Sequence, residues 1–233
     1  MKNIPNFITC LNLFSGCLAC IMILTFDSYL GAFIFVIFSA IFDFLDGLSA
    51  RLLKTYSKIG KELDSLADVI SFGLAPGCIV YTYLASLSNY TGWIYIPFIA
   101  FLLPVFSALR LAKFNIDTRQ SSSFLGLPVP ANALFWASLI PSFHYYTHIQ
   151  PLLLLIIIIF LLFVFGFLML SEIPMFSLKF KNLEWKDNEW PFYLITLSIA
   201  MFGVFFYWGM PLLGINLSII AYIIMSLIKN TIK

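Results

Sequence analysis

Residues 43–68 read D-F-L-D-G-L-S-A-R-L-L-K-T-Y-S-K-I-G-K-E-L-D-S-L-A-D. Four aspartates and one arginine stand here among apolar residues, in a chain of which only 10% is charged. Asp43, Asp46, Gly47, Ala50 and Arg51 fall at offsets 0, 3, 4, 7 and 8, and Gly60, Asp64 and Asp68 fall at 0, 4 and 8. Each set therefore lies along one face of a helix. Two helices joined by a short basic turn near Thr55 aim all four carboxylates at one shared cleft.

Carboxylates held together in apolar surroundings repel and lose hydration, so they take up protons or bind cations. Pairing with Arg51, Lys54 or Lys61 leaves surplus negative charge. An ion path through a transporter does not account for Gly47, Ala50 and Gly60, whose small size lets a ligand or a neighbouring backbone come close. Hard divalent ions suit an all-oxygen site, and two of them offset four negative charges. Asp43, Asp46, Asp64 and Asp68 are accordingly the expected metal ligands, and phosphate chemistry is the usual setting for such a site.

The 233 residues are 61% hydrophobic and include 26 Phe, with a mean hydropathy of +0.98. This composition excludes an ordinary soluble domain and predicts an all-α, polytopic transmembrane bundle, read as a single integral membrane domain over 1–233. Eight candidate spans centre near residues 16, 40, 77, 103, 139, 160, 200 and 220. The N-terminal apolar run reads as a retained first span rather than a signal peptide. The motif crosses the second and third spans. Its aspartates lie about 7 to 12 Å inside the membrane face at 1.5 Å per residue.

With Met1 cytoplasmic, an even number of spans places the segments 51–61, 110–119, 179–186 and 229–233 on one side. Those segments, with Lys2, hold all 13 Lys and Arg residues, and the opposite side carries only Asp27. This is the positive-inside pattern, and adding or removing one span destroys it. Both termini and the carboxylate cleft are thus expected on the cytoplasmic side of a cytoplasmic membrane. The stretch from Ser171 to Pro191 has room for an interfacial helix. Cys10, Cys17, Cys20 and Cys78 show no zinc or paired spacing and read as small buried hydrophobes. His144 and His148, beside Tyr145 and Tyr146 in an outer turn, fit a membrane boundary. Phe-rich helix faces mean lipid contact or packing and not nucleobase stacking, and no nucleic-acid partner is expected.

The complete pattern D-x2-D-G-x2-A-R-x8-G-x3-D-x3-D resembles the signature of the CDP-alcohol phosphotransferases, integral membrane enzymes that make phospholipid head groups. Three further stretches resemble the branch of that family that uses serine: P-N-x2-T-x2-N from Pro5 to Asn12, S-A-L-R-L-A-K-F-N from Ser107 to Asn115, and G-L-P-V-P-A-N-A from Gly126 to Ala133. The resemblance implies a six-helix core with extra helices. It also implies cleavage of the CDP-diacylglycerol pyrophosphate, with CMP leaving and L-serine taking the phosphatidyl group. Two ions of Mg2+ or Mn2+ are implied as cofactors, and a homodimer in the bilayer as the assembly; Ser15, Gly16 and Ala19 are small enough for close helix packing.

In this reading Asp68 doubles as general base. Gly47, Ala50, Arg51, Gly60, Asn6, Thr9 and Asn12 surround the nucleotide, and Arg110 and Lys113 meet the acceptor or a phosphate. Direct attack by the acceptor needs the fewest parts, because Ser49, Ser57 and Ser65 have no histidine partner within the motif. Two other readings stay open at this point. A family member acting on glycerol 3-phosphate or inositol phosphate needs a further basic pocket, and a cation transporter predicts ion flux with no CMP release.

Overall fold

The computed structural model describes residues 4–55, 57–117, 124–146, 149–176 and 188–231. His148 and the centre of the proposed interfacial segment, 177–187, lie outside the described residues. Among the described residues, eight helical columns follow in chain order at the positions the hydropathy pattern predicts. They are α1 (Ile4–Leu24), α2 (Tyr29–Leu52), a column built from α3 (Lys58–Asp68), a π-helical turn (Val69–Leu74) and α4 (Ala75–Thr91), then α5 (Leu102–Ile116) entered through a 3-10 turn (Ile96–Phe101). The remaining four are α6 (Val129–Tyr146), α7 (Pro151–Leu170), α8 (Glu189–Tyr207) and α9 (Pro211–Thr231). A two-residue antiparallel pairing sets Phe124 against Met175 and Leu125 against Pro174.

Seven of the columns are long and apolar enough to cross a membrane. The exception is α6, with Asn132, two prolines, His144 and two tyrosines in its 18 residues. It lacks lipid-like composition because it meets little lipid: Ala133 and every residue from Phe135 to Ser142 are buried. Phe135 stacks on Phe165 with ring centroids 3.8 Å apart, and Trp136 meets Phe165 edge-on at 6.0 Å. On the other side Asn216 of α9 donates to the Phe135 carbonyl at 3.0 Å. The contrast with the outward-facing phenylalanines and isoleucines of α2, α7 and α8 is the inside-out pattern of a helix bundle in lipid.

The two ends of the bundle are distinct. At one end lie the start of α1, the turn between α2 and α3, the end of α5, the start of α6 and the end of α7, where Lys113 Nζ donates to the Leu170 carbonyl at 3.2 Å. The last turn of α9 returns there as well, with Asn230 donating to the Pro174 carbonyl at 2.6 Å. At the other end His144 stacks on Tyr29 at 4.4 Å, beside the turn that carries Asp27. The described termini and the carboxylates of the motif thus share one end, and α6 runs the full way between the two.

The π turn is gripped from both sides. A Cβ on Gly16 of α1 would stand 2.7 Å from the Ser71 backbone, and a Cβ on Gly73 would stand 3.0 Å from the backbone of Pro104 and 3.1 Å from the Ser107 Cβ. Ser71 and Ser39 both donate to the Asn12 carbonyl, at 3.0 and 3.2 Å, tying α1 to its two neighbours. Ser15, Gly16 and Ala19 therefore serve close helix packing within the chain. The cysteines divide in the same way: Cys78 is buried, whereas Cys10 and Cys17 face outward.

Because the obstacle at Gly16 is backbone, it cannot move aside. Gly16→Val is expected to lower the thermal midpoint of the detergent-solubilised protein through overpacking of about 1–3 kcal/mol. Gly203→Ala, where no atom lies within 4 Å, serves as the control and is expected to hold or raise it.

Candidate active site

The cleft between α2 and α3 holds a cavity of about 610 Å³. Its helices enter with ordinary chemistry: Ser57 caps α3 by accepting from the Gly60 N–H at 2.9 Å, which points the first turn at the cavity. One carboxylate oxygen each from Asp43, Asp64 and Asp68 lies within 4.8 Å of the others. Asp64 Oδ1 is buried without a hydrogen-bond partner among the described residues. At 4.8 Å, a pair of like charges repels by about 3.5 kcal/mol at an effective dielectric near 20. An all-oxygen set with an unmet buried lone pair fits a hard divalent cation.

Asp46, the fourth expected ligand, lines the same cavity but stands outside this tight group. Its Oδ2 accepts from the Thr9 hydroxyl at 2.7 Å. That hydroxyl also lies 3.0 Å from the Pro5 carbonyl, and its single proton goes to the charged acceptor. Asn12 Nδ2 donates to Asp68 Oδ1 at 3.2 Å. The polar face of α1 thus contacts one aspartate on each motif helix. Asn6 and Thr9 line the cavity, whereas Asn12 lies behind Asp68 and outside the lining. Its observed partner is a carboxylate rather than open space.

The small residues separate likewise. A Cβ on Gly47 would meet nothing within 4 Å, so the space beside it is open to a ligand. A Cβ on Gly60 would stand 2.8 Å from Asn6 Oδ1 and 2.9 Å from Ser57 Oγ, so that glycine makes room for Asn6. Ala50 lines the wall between them. Arg51 also lines the cavity, with Nε donating to the Gly47 carbonyl one turn back at 3.0 Å. That bond holds the guanidinium plane along the α2 face.

Arg110 and Lys113, three residues apart on α5, part company. Arg110 lines the cavity at only 6% exposure, its guanidinium 5.5 Å from the Phe114 ring centre. Lys113 points to the end of α7, where its ammonium lies 3.6 Å from Glu172 Oε1. Lys113, expected beside Arg110, is not among the residues that line the cavity. Lys61, Ser65 and Asn115 are additional lining residues: Lys61 Nζ donates to the Asn115 carbonyl at 3.1 Å, and Asn115 Nδ2 to Ser65 Oγ at 2.8 Å. The spacing 61, 64, 65, 68 on α3 carries the signal for the first two. Asn115 depends on how α5 meets α3, which no local spacing reveals.

A profile described as CDP-alcohol phosphatidyltransferase matches residues 2–178. The chain is 35% identical over 201 residues to a Helicobacter pylori protein named CDP-diacylglycerol--serine O-phosphatidyltransferase, covering 84% of this chain and 80% of that one. A Methanocaldococcus jannaschii protein of the same name is 33% identical over 226 residues, 97% of this chain and 93% of the relative. An archaetidylserine synthase from Methanothermobacter thermautotrophicus is 35% identical over 134 residues, 56% of this chain and 54% of that protein. With a profile spanning three-quarters of its length and a 33% identical relative covered over 93% of that protein, this chain belongs to the CDP-alcohol phosphatidyltransferase family.

Proposed function

We propose that this protein transfers a phosphatidyl group from CDP-diacylglycerol to L-serine in the cytoplasmic membrane, releasing CMP and forming phosphatidylserine. The observation that carries this reading is the convergence of carboxylates from α2 and α3 on a cavity that also holds Arg51 and Arg110. The similarity to serine phosphatidyltransferases supports serine as the acceptor. A divalent cation on Asp43, Asp64 and Asp68, with Asp46 beside them for a second Mg2+ or Mn2+, would supply neutralisation of pyrophosphate charge.

The chain's own residues do the rest. Arg51 presents its planar, permanently charged fork to a phosphate oxygen. The open side of Gly47 and the wall at Ala50, Gly60 and Asn6 take the cytidine and ribose. Asp68 receives the proton of the serine hydroxyl while that oxygen bonds to the lipid phosphorus and the bond from phosphorus to the CMP oxygen breaks. The Asn12 amide on Asp68 Oδ1 fixes the plane of that carboxylate, and Thr9 fixes Asp46 in the same way. The distribution of Lys and Arg supports a cytoplasmic address for the site and both termini, and the family resemblance supports a homodimer.

Purified protein given CDP-diacylglycerol and Mg2+ or Mn2+ is expected to release CMP with serine and not with glycerol 3-phosphate or inositol phosphate. EDTA is expected to abolish release, and Asp68→Asn to slow it by about 10²- to 10⁴-fold. Release with a phosphorylated alcohol alone would displace serine as acceptor, and cation flux without CMP release would displace the transferase.

Thr9→Val removes the hydroxyl that holds Asp46 and keeps the side-chain shape. Mn2+ affinity, measured by calorimetry without substrate, is expected to fall about 10- to 100-fold. Unchanged affinity would show that Asp46 needs no support from α1.

A further inference from the structure

We infer that the amino-acid head of the acceptor is read by a buried polar layer directly behind the aspartate cavity, formed by Ser107 and Arg110 of α5 and Asn132 of α6, with Asn132 selecting the α-ammonium group. This deepens the serine reading and rests on it. Ser107 and Asn132 are 0% exposed. The Ser107 hydroxyl, both amide atoms of Asn132 and two nitrogens of Arg110, Nε and Nη2, have no hydrogen-bond partner among the described residues. Native interiors satisfy nearly all such groups, and an unpaired buried amide or guanidinium is costly. Unmet groups on two helices that both pack on the turn following Asp68 point to a missing ligand.

The position fits the acceptor. Arg110 lines the cavity and lies within electrostatic reach of the Asp68 carboxylate. Ser107 stands one turn behind Arg110 on α5, against Gly73 of the π turn that directly follows Asp68. Asn132 lies one turn into α6 from Pro128, which lines the cavity, and its N–H donates to the Pro128 carbonyl at 3.1 Å. α6 also packs on the π turn. The three residues therefore stand on the two helices, α5 and α6, that pack on the turn following Asp68.

The chemistry of the orphaned groups selects the ligand class. Arg110 and Ser107 offer donors, which suit a carboxylate. Asn132 offers Oδ1 to an ammonium and Nδ2 to a second carboxylate oxygen. A phosphorylated acceptor would leave Asn132 Oδ1 unmet. It would also bring a dianion to one buried arginine, because Lys113 is turned to Glu172. A zwitterionic α-amino acid satisfies the orphaned groups of Ser107, Arg110 and Asn132, and a carboxylate held on Arg110 leaves its hydroxyl on the Asp68 side.

The test compares serine, serinol (no carboxylate) and 3-hydroxypropionate (no ammonium) as acceptors. Asn132→Leu is expected to raise KM for serine about 10- to 100-fold. It should erase the preference for serine over 3-hydroxypropionate and keep the preference over serinol, which Arg110 reads. An unchanged KM and unchanged preferences in a folded variant would overturn the inference. If the variant does not fold, inhibition of the unmutated enzyme decides. L-alanine should compete with serine at least tenfold more strongly than propionate or ethylamine, and equal inhibition by the three would overturn the inference. Absence of serine-dependent CMP release from the unmutated protein would instead sink the serine reading, and this inference with it.

Discussion

The mutual repulsion of the carboxylates of Asp43, Asp64 and Asp68, held within 4.8 Å inside a hydrophobic bundle, is the constraint around which the structure is arranged. No apolar packing relieves it. What the fold supplies is geometry: a capped helix start at Ser57, a short turn that brings α2 and α3 side by side, and an α1 whose polar face touches both. The serines that grip the Asn12 carbonyl and the close approach at Gly16 keep α1 from sliding along its neighbours. A helix end held this way fixes the carboxylates at a set depth, where water-soluble head groups and lipid tails meet.

The aspartate spacing was legible because it is local: offsets of three and four define a helix face whatever the helix packs against. The helical columns were equally legible from hydropathy, and α6 shows the limit of that signal. Its composition is too polar for lipid, and only its burial among α2, α4 and α9 explains why it still crosses the bundle. Arg110 and Lys113 show a second limit. Both sit three residues apart near one helix end, yet one enters the cavity and the other turns to Glu172. Sequence spacing gave no means to divide them, because the division depends on where α7 ends. Cys10 and Cys17 fail for the same reason, since apolar sequence does not distinguish the lipid face of α1 from its packed face.

The orphaned groups at Ser107, Arg110 and Asn132 belong to a different level of description. Each is unremarkable as a letter: a serine and an arginine near a helix end, an asparagine after prolines. Their significance arises from burial without partners, a property of the assembled interior. The same reasoning distinguishes the two glycines of the motif. Gly60 is small because Asn6 occupies the space its side chain would need, and Gly47 is small while the protein leaves the space beside it open.

All the carboxylates of the site, together with the α1 side chains that hold two of them, lie within the first 68 residues. Arg110 and the α6 wall follow later in the chain. Because membrane helices emerge from the ribosome in order and domains form from the N-terminal side first, the acidic cluster is assembled while its opposite wall is still unmade. At that stage the charge is unshielded and open to the ions of the surrounding fluid. The order of synthesis thus presents the acidic face before Arg110 and α6 are there to enclose it.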